Sequence, residues 1–154
     1  MSEQNKDGIP QRLAEIIEDF QLAEGREKLE LLLDYSEQLP PLPERFKELH
    51  ASMEHVQECM TPVYVQAELN DGHLSFYFDV PRESPTVRGF AALLEQGLRG
   101  LTPEQILQVP GDFYIKMNLH QVLTQQRMHG ISAILAHMKQ LAVQNISGIK
   151  TWQK

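Results

Sequence analysis

The stretch "VYVQAELNDGHLSFYFDV", residues 63–80, decides the fold of this chain. Apolar residues occupy every second position on both sides of "NDG", which is the spacing of half-buried β-strands. Gly72 is free to take a positive φ in the turn between them. The stretch therefore predicts an antiparallel hairpin over about residues 63–80, and a third strand is expected over about residues 53–58.

Helical patterns precede the hairpin. Apolar residues spaced i, i+3, i+4 and i+7 predict an amphipathic helix after Pro10, with an inward stripe of Leu13, Ile16, Ile17 and Phe20. A second helix is expected over residues 26–38, with an inward face of Leu29, Leu32 and Leu33. "LPPLP", residues 39–43, ends it because proline cannot continue a helix.

Helical patterns also follow the hairpin. Ser84 and Pro85 are suited to the N-cap and first position of one helix, and Thr102 with Gln105 fits a capping box at the next. A last long helix is expected over residues 124–145. This order predicts an α+β fold with a small antiparallel sheet flanked by helices. We expect one domain over residues 10–146, a flexible N-terminus over 1–9 and a C-terminal tail over 147–154.

Composition narrows the class of protein. The chain has 154 residues, of which 42% are hydrophobic, enough for one packed domain. Its net charge of -7 disfavours binding to nucleic acid, and no apolar run is long enough to span a membrane. Its single cysteine excludes an internal disulfide, and residues 1–11 do not resemble a signal peptide. A soluble cytoplasmic protein is expected.

The single cysteine, Cys59, is the main candidate for chemistry. It could be a buried packing residue, a nucleophile or a metal ligand. The six histidines show none of the spacings of a zinc site, so a metal role is disfavoured. Thr61 and Pro62 follow it, which places Cys59 on a loop leading into a strand. The candidate base His55 is four residues away, whereas Glu58 raises the pKa of the thiol. No strong local activator of Cys59 is therefore present, which fits either a packing residue or a thiol whose reactivity is supplied elsewhere in the fold or by a partner.

Four segments together resemble the SufE family: "VQECMTPVYV", "SPTVRGFAALL", "ILQVPGDFY" and "RMHGISAILAHMK". The resemblance covers roughly residues 10–142. It implies a sulfur-acceptor protein that works beside a SufS-type (group II) cysteine desulfurase in iron–sulfur cluster assembly. It also implies an α+β fold like that of the scaffold protein IscU. Many members have glycine before the cysteine, glutamine and serine after it, and a tryptophan in the strand; here those places hold Glu58, Met60, Thr61 and Tyr64.

The resemblance also implies roles for particular residues. Cys59 is expected to receive persulfide sulfur and pass it to a downstream Fe–S scaffold complex. Arg127, Arg88 and Thr61 are expected to support the thiol or contact the partner, although both arginines could equally be solvated helix residues. No cofactor is expected in this chain, because the pyridoxal phosphate belongs to the desulfurase. We expect Cys59 to be sheltered in the free protein and exposed on docking.

Two other classes of function remain open. In the first, the protein is an adaptor for a desulfurase and Cys59 is structural. In the second, it is a stand-alone thiol enzyme. That class usually needs a base and an orienting group, or a second cysteine. Because the chain has one cysteine and His55 is the one nearby candidate base, a stand-alone enzyme is the weakest of the three.

Overall fold

The computed structural model describes residues 7–147 of the chain. Residues 1–6 and 148–154, which include most of the two predicted flexible ends, lie outside the described residues. Within the described part, Ile9 is already buried in the core.

The hairpin forms as predicted. Strand β2 (Tyr64–Asn70) pairs antiparallel with β3 (His73–Asp79), and Asn70 lies opposite His73. The two turn residues, Asp71 and Gly72, have φ values of 53° and 82°, as a tight two-residue hairpin turn requires. The described sheet has three strands in the order β1-β2-β3.

The predicted third strand exists, but its extent was wrong. Strand β1 covers only Glu54–His55 and pairs antiparallel with β2. The backbone N–H of Val56 still bonds the carbonyl of Val63 at 2.9 Å in the same register, and beyond this bond the chain leaves the sheet as a loop. Residues 56–58, predicted as strand, belong to this loop.

Six α-helices flank the sheet in the described part of the chain: α1 (Gln11–Leu22), α2 (Arg26–Ser36), α3 (Glu44–Glu48), α4 (Pro85–Gly97), α5 (Pro103–Gln108) and α6 (Gln125–Ser147). Short 3₁₀ turns cover His50–Ser52, Phe113–Met117 and Leu119–Gln121. The predicted inward stripe of α1 is buried, and the capping box of Thr102 and Gln105 is present at α5. The predicted α+β class is confirmed.

Two local predictions were wrong. Leu33 is 43% exposed, because α2 turns a different face inward, the one that carries Lys28, Leu32, Tyr35 and Ser36. Ser84 stands at the N-cap position of α4, but its side chain makes no capping hydrogen bond. Its hydroxyl instead pairs with that of Thr61 at 2.9 Å.

The core places the candidate site. The inward face of the hairpin packs against α6 and α4, and α2 packs against α4. The loop between β1 and β2 lies against α6, where Cys59 contacts Gly130 and Glu58 contacts His137. Among residues 7–147, none of the helices combines the length and the apolar character needed to cross a bilayer.

Candidate functional site

The candidate site is built on the loop of residues 56–63, here called the Cys59 loop. Val56 and Val63 are fully buried at its base and are joined by a backbone hydrogen bond of 2.9 Å. Within it, the N–H of Cys59 bonds the carbonyl of Val56 at 3.3 Å. A short loop pinned at both ends therefore carries the thiol directly ahead of β2, as the sequence predicted.

The thiol of Cys59 is sheltered by α6. Cys59 is 9% exposed, and its Sγ donates a hydrogen bond to the carbonyl of Gly130 at 3.2 Å. A Cβ at position 130 would lie 3.2 Å from Sγ and 3.5 Å from the Cα of Cys59. Glycine at this position thus lets the loop approach the helix backbone. The expectation of a sheltered thiol is confirmed.

Shelter also keeps the sulfur protonated. Burial raises the pKa of Cys59 to about 11, and the neighbouring carboxylate of Glu58 pushes it in the same direction. The guanidinium of Arg127 acts in the opposite sense and is outweighed. At neutral pH the resting group is a thiol rather than the nucleophilic thiolate.

A small cavity of about 130 Å³ adjoins the sulfur. Its lining comes from the Cys59 loop, the start of α4 and the start of α6: Cys59, Met60, Thr61, Val87, Thr124, Gln126, Arg127 and Gly130. At its rim Met60 is 82% exposed, and Gln126 donates a hydrogen bond to its sulfur at 3.0 Å. An exposed apolar side chain therefore lies beside the buried thiol of Cys59.

Two of the predicted supporting residues lie at this cavity. The hydroxyl of Thr61 pairs with that of Ser84 at 2.9 Å, which ties the Cys59 loop to the start of α4. Arg127 is exposed, and its guanidinium donates to the hydroxyl of Thr86 at 2.5 Å. The structure thus brings Cys59, Thr61 and Arg127 together.

Arg88 lies elsewhere. Its half-buried guanidinium donates to the carbonyl of Ser36 at 3.1 Å and to that of Val80 at 2.6 Å. These bonds join the end of α2 and the end of β3 to α4, and burial lowers the pKa of Arg88. Arg88 does not line the cavity beside Cys59.

The candidate base His55 also stays away from the cavity. Its ring stacks on that of Tyr64 with 4.7 Å between the centroids, and it is not among the residues that line the cavity. Across residues 7–147, no group of three or more His, Cys, Asp or Glu side chains is arranged to hold a metal ion.

Sequence reasoning missed the role of His137. Its ring lies between the carboxylates of Glu54 and Glu58, 2.5 Å from the first and 2.9 Å from the second. One signal was available: His137 follows Gly130 by seven residues, so both lie on the same face of α6. Nothing in the sequence, however, shows that this face meets the Cys59 loop.

The fold and the site define an α+β protein that carries one sheltered thiol on a strand-preceding loop. The family model for SufE, described as an Fe-S metabolism associated domain, matches residues 14–142. The chain therefore belongs to the SufE family, and its role lies in iron–sulfur metabolism. The resemblance seen in the sequence is confirmed.

Known proteins agree with this assignment. An uncharacterized SufE-like protein of Mycobacterium tuberculosis is 39% identical over 132 residues, which cover 85% of this chain and 91% of that protein. A protein of Plasmodium vivax named cysteine desulfuration protein SufE is 29% identical over 102 residues, 65% of this chain and 39% of that protein. A solution structure of a hypothetical protein from Thermus thermophilus is similar with a TM-score of 0.79 and 34% identity, covering 90% of this chain and 98% of that one.

Proposed function

We propose that the protein is a sulfur carrier that accepts persulfide sulfur on Cys59 from a SufS-type cysteine desulfurase and thereby stimulates it. The observation that carries this proposal is the thiol itself: a single cysteine, 9% exposed, at the wall of a cavity whose rim is exposed. Membership of the SufE family, and the name of the Plasmodium vivax relative, point to the same chemistry.

The transfer step is a thiol exchange. The thiolate of Cys59 attacks the outer sulfur of the desulfurase persulfide, a bond forms between that sulfur and Sγ, and the S–S bond of the partner breaks. The outer sulfur keeps its proton, and the partner's cysteine leaves as a thiolate. No electrons are gained or lost overall, so the step needs no oxidant or reductant.

The resting structure explains why a partner is needed. With a pKa of about 11 and a buried sulfur, Cys59 is poorly nucleophilic in the free protein. Docking that lifts the loop from α6 removes the burial that raises the pKa. The exposed side chains of Met60 and Arg127 at the rim are suited to contact the desulfurase.

The same proposal covers the other parts of the pathway. The sulfur is carried by a covalent bond alone, and pyridoxal phosphate belongs to the desulfurase. From Cys59 the sulfur passes to a downstream Fe–S scaffold complex. A reducing compartment such as the cytoplasm suits a lone reactive thiol. We expect no independent turnover by this chain.

An adaptor is the second candidate, and one observation favours it: Cys59 is packed and hydrogen-bonded like a structural residue. Cys59→Ser separates the two functions. Desulfurase turnover is measured with free cysteine and a reductant, and binding of the variant is measured separately. A carrier loses its stimulation while binding persists. Retained stimulation by Cys59→Ser identifies an adaptor.

A further inference from the structure

His137 of α6 lies between two carboxylates from other parts of the chain. Its Nδ1 is 2.5 Å from Oε2 of Glu54 in β1, and its Nε2 is 2.9 Å from Oε1 of Glu58 in the Cys59 loop. The side chain of His137 is 14% exposed and that of Glu58 is 42% exposed. A protonated imidazole has a donor on each nitrogen and can donate to both carboxylates at once. The transfer step above uses none of these three side chains.

The position of Glu58 makes this contact relevant to the thiol. Glu58 immediately precedes Cys59, so a bond that fixes the first also restricts the second. Helix α6 thus holds the loop at two points on one face, about two turns apart: the carbonyl of Gly130 accepts from the thiol, and His137 holds Glu58. Moving the loop away from α6 therefore draws Glu58 away from His137.

Charge strengthens the contact. Burial lowers the pKa of His137, but the hydrogen bonds to Glu54 and Glu58 outweigh it, and the net direction is upward. The bond from His137 in turn lowers the pKa of Glu58. Two further groups of α6 face the loop: His129, which also lowers the pKa of Glu58, and Arg127, which faces the thiol. The bridge therefore joins an imidazolium to two carboxylates that would otherwise repel each other.

We propose that His137 is a positioning residue that holds the Cys59 loop closed by bridging Glu54 and Glu58, and that release of Glu58 from His137 exposes the thiol. The link to sulfur transfer rests on the proposed carrier function. The closing of the loop itself is a property of the free protein.

Alkylation of Cys59 by iodoacetamide in the free, full-length protein tests this. In His137→Leu we expect the rate to rise at least about tenfold, the factor that corresponds to about 1.4 kcal/mol, as for the loss of one charge-assisted hydrogen bond. Loss of a cation by itself raises the pKa of the thiol and slows alkylation. A faster reaction therefore reports opening of the loop.

Two further readouts distinguish positioning from general destabilisation. In a Glu58→Ala background, His137→Leu should give no further acceleration, because the bond is already absent. In the native protein, the rate divided by the thiolate fraction should rise with pH as His137 loses its proton above pH 6.5, whereas in His137→Leu it should stay flat. His120→Leu, at an exposed histidine outside the site, is the matched control and should behave like the native protein.

An unchanged alkylation rate in His137→Leu overturns the proposal, as does an equal acceleration in both backgrounds. If His137→Leu does not fold, the Glu58→Ala variant is used alone. Alkylation that is faster than the change in thiolate fraction explains supports the bridge. Alkylation that the thiolate fraction fully explains overturns it. No desulfurase is present in this assay. A failure of sulfur transfer would therefore leave these results standing, and the two proposals fail separately.

Discussion

The sulfur of Cys59 and the carbonyl oxygen of Gly130 lie 3.2 Å apart, and this contact seats the resting thiol against α6. The sulfur donates into the backbone of α6, and the same glycine leaves no side chain in the way. The burial that raises the pKa of Cys59 depends on this approach.

Gly130→Ala should therefore open the site. The new Cβ would lie 3.2 Å from Sγ, tighter than ordinary packing, so the Cys59 loop has to shift outward. Alanine also improves helix propensity by about 1 kcal/mol, which offsets the cost of crowding. We expect faster alkylation of Cys59 with a change in unfolding free energy of less than about 1.5 kcal/mol. Alkylation kinetics and denaturant unfolding measure the two effects, and an unchanged alkylation rate would contradict this reading of the contact.

The alkylation rate of Cys59 should increase with pH over a higher range than that of an ordinary thiol. Its pKa lies at about 11 rather than the ordinary 9.0, a difference that lowers the thiolate fraction about a hundredfold at neutral pH. The alkylation rate of the free protein should therefore keep rising up to about pH 11. Rates followed from pH 6 to the onset of unfolding check this, with free cysteine as the reference. A rate at pH 6, below the raised pKa of His137, that equals the rate of free cysteine would show that Cys59 is not sheltered in solution.

Alanine substitutions at the two arginines should have different effects: Arg88→Ala should lower stability, and Arg127→Ala should weaken desulfurase stimulation. Arg88→Ala removes two hydrogen bonds from a charged donor to backbone carbonyls, and we expect a loss of about 1.5–3 kcal/mol in unfolding free energy. Arg127 is exposed, so Arg127→Ala should change stability by no more than about 0.5 kcal/mol. Desulfurase stimulation should instead need a higher concentration of the Arg127 variant. Normal stimulation by a normally stable Arg127→Ala would remove Arg127 from the docking surface.

The bridge of His137 should make stability depend on pH. The pKa of His137 is raised above 6.5 in the folded state, so its contribution is complete below pH 6.5 and is lost as the pH rises through the folded value. The pKa of Glu58 is lowered below 4.5, so its contribution is complete above pH 4.5 and is lost on acidification. The difference in unfolding free energy between native protein and His137→Leu should thus be largest between pH 4.5 and 6.5. A difference that is constant from pH 4 to pH 9 would show that charge plays no part.

The sequence predicted correctly those elements that depend on residues close together in the chain. The period-two alternation and the turn at Gly72 predicted the hairpin, and Thr102 with Gln105 predicted a cap that the structure contains. Where a side chain can make either a local or a tertiary hydrogen bond, the sequence does not show which one forms. Ser84 has a capping side chain, but its hydroxyl bonds Thr61 because the Cys59 loop comes within reach.

The candidate site could be predicted only in part. Residues around Cys59 placed it on a loop and showed that Glu58 opposes ionisation. The shelter comes from Gly130, 71 residues away, and the bridge from His137, 79 residues from Glu58. The register between the loop and α6 brings these groups together, and no spacing along the chain encodes that register.

Sulfur uptake by Cys59 is the most direct test of the central claim. The full-length protein is mixed with a SufS-type desulfurase and free cysteine, and intact mass spectrometry is run with and without a reductant. The proposed function predicts a reducible gain of one sulfur that maps to Cys59 and is absent from Cys59→Ser. No gain, with an active desulfurase from the same genome and demonstrated binding, would contradict the carrier function and favour an adaptor with a structural thiol.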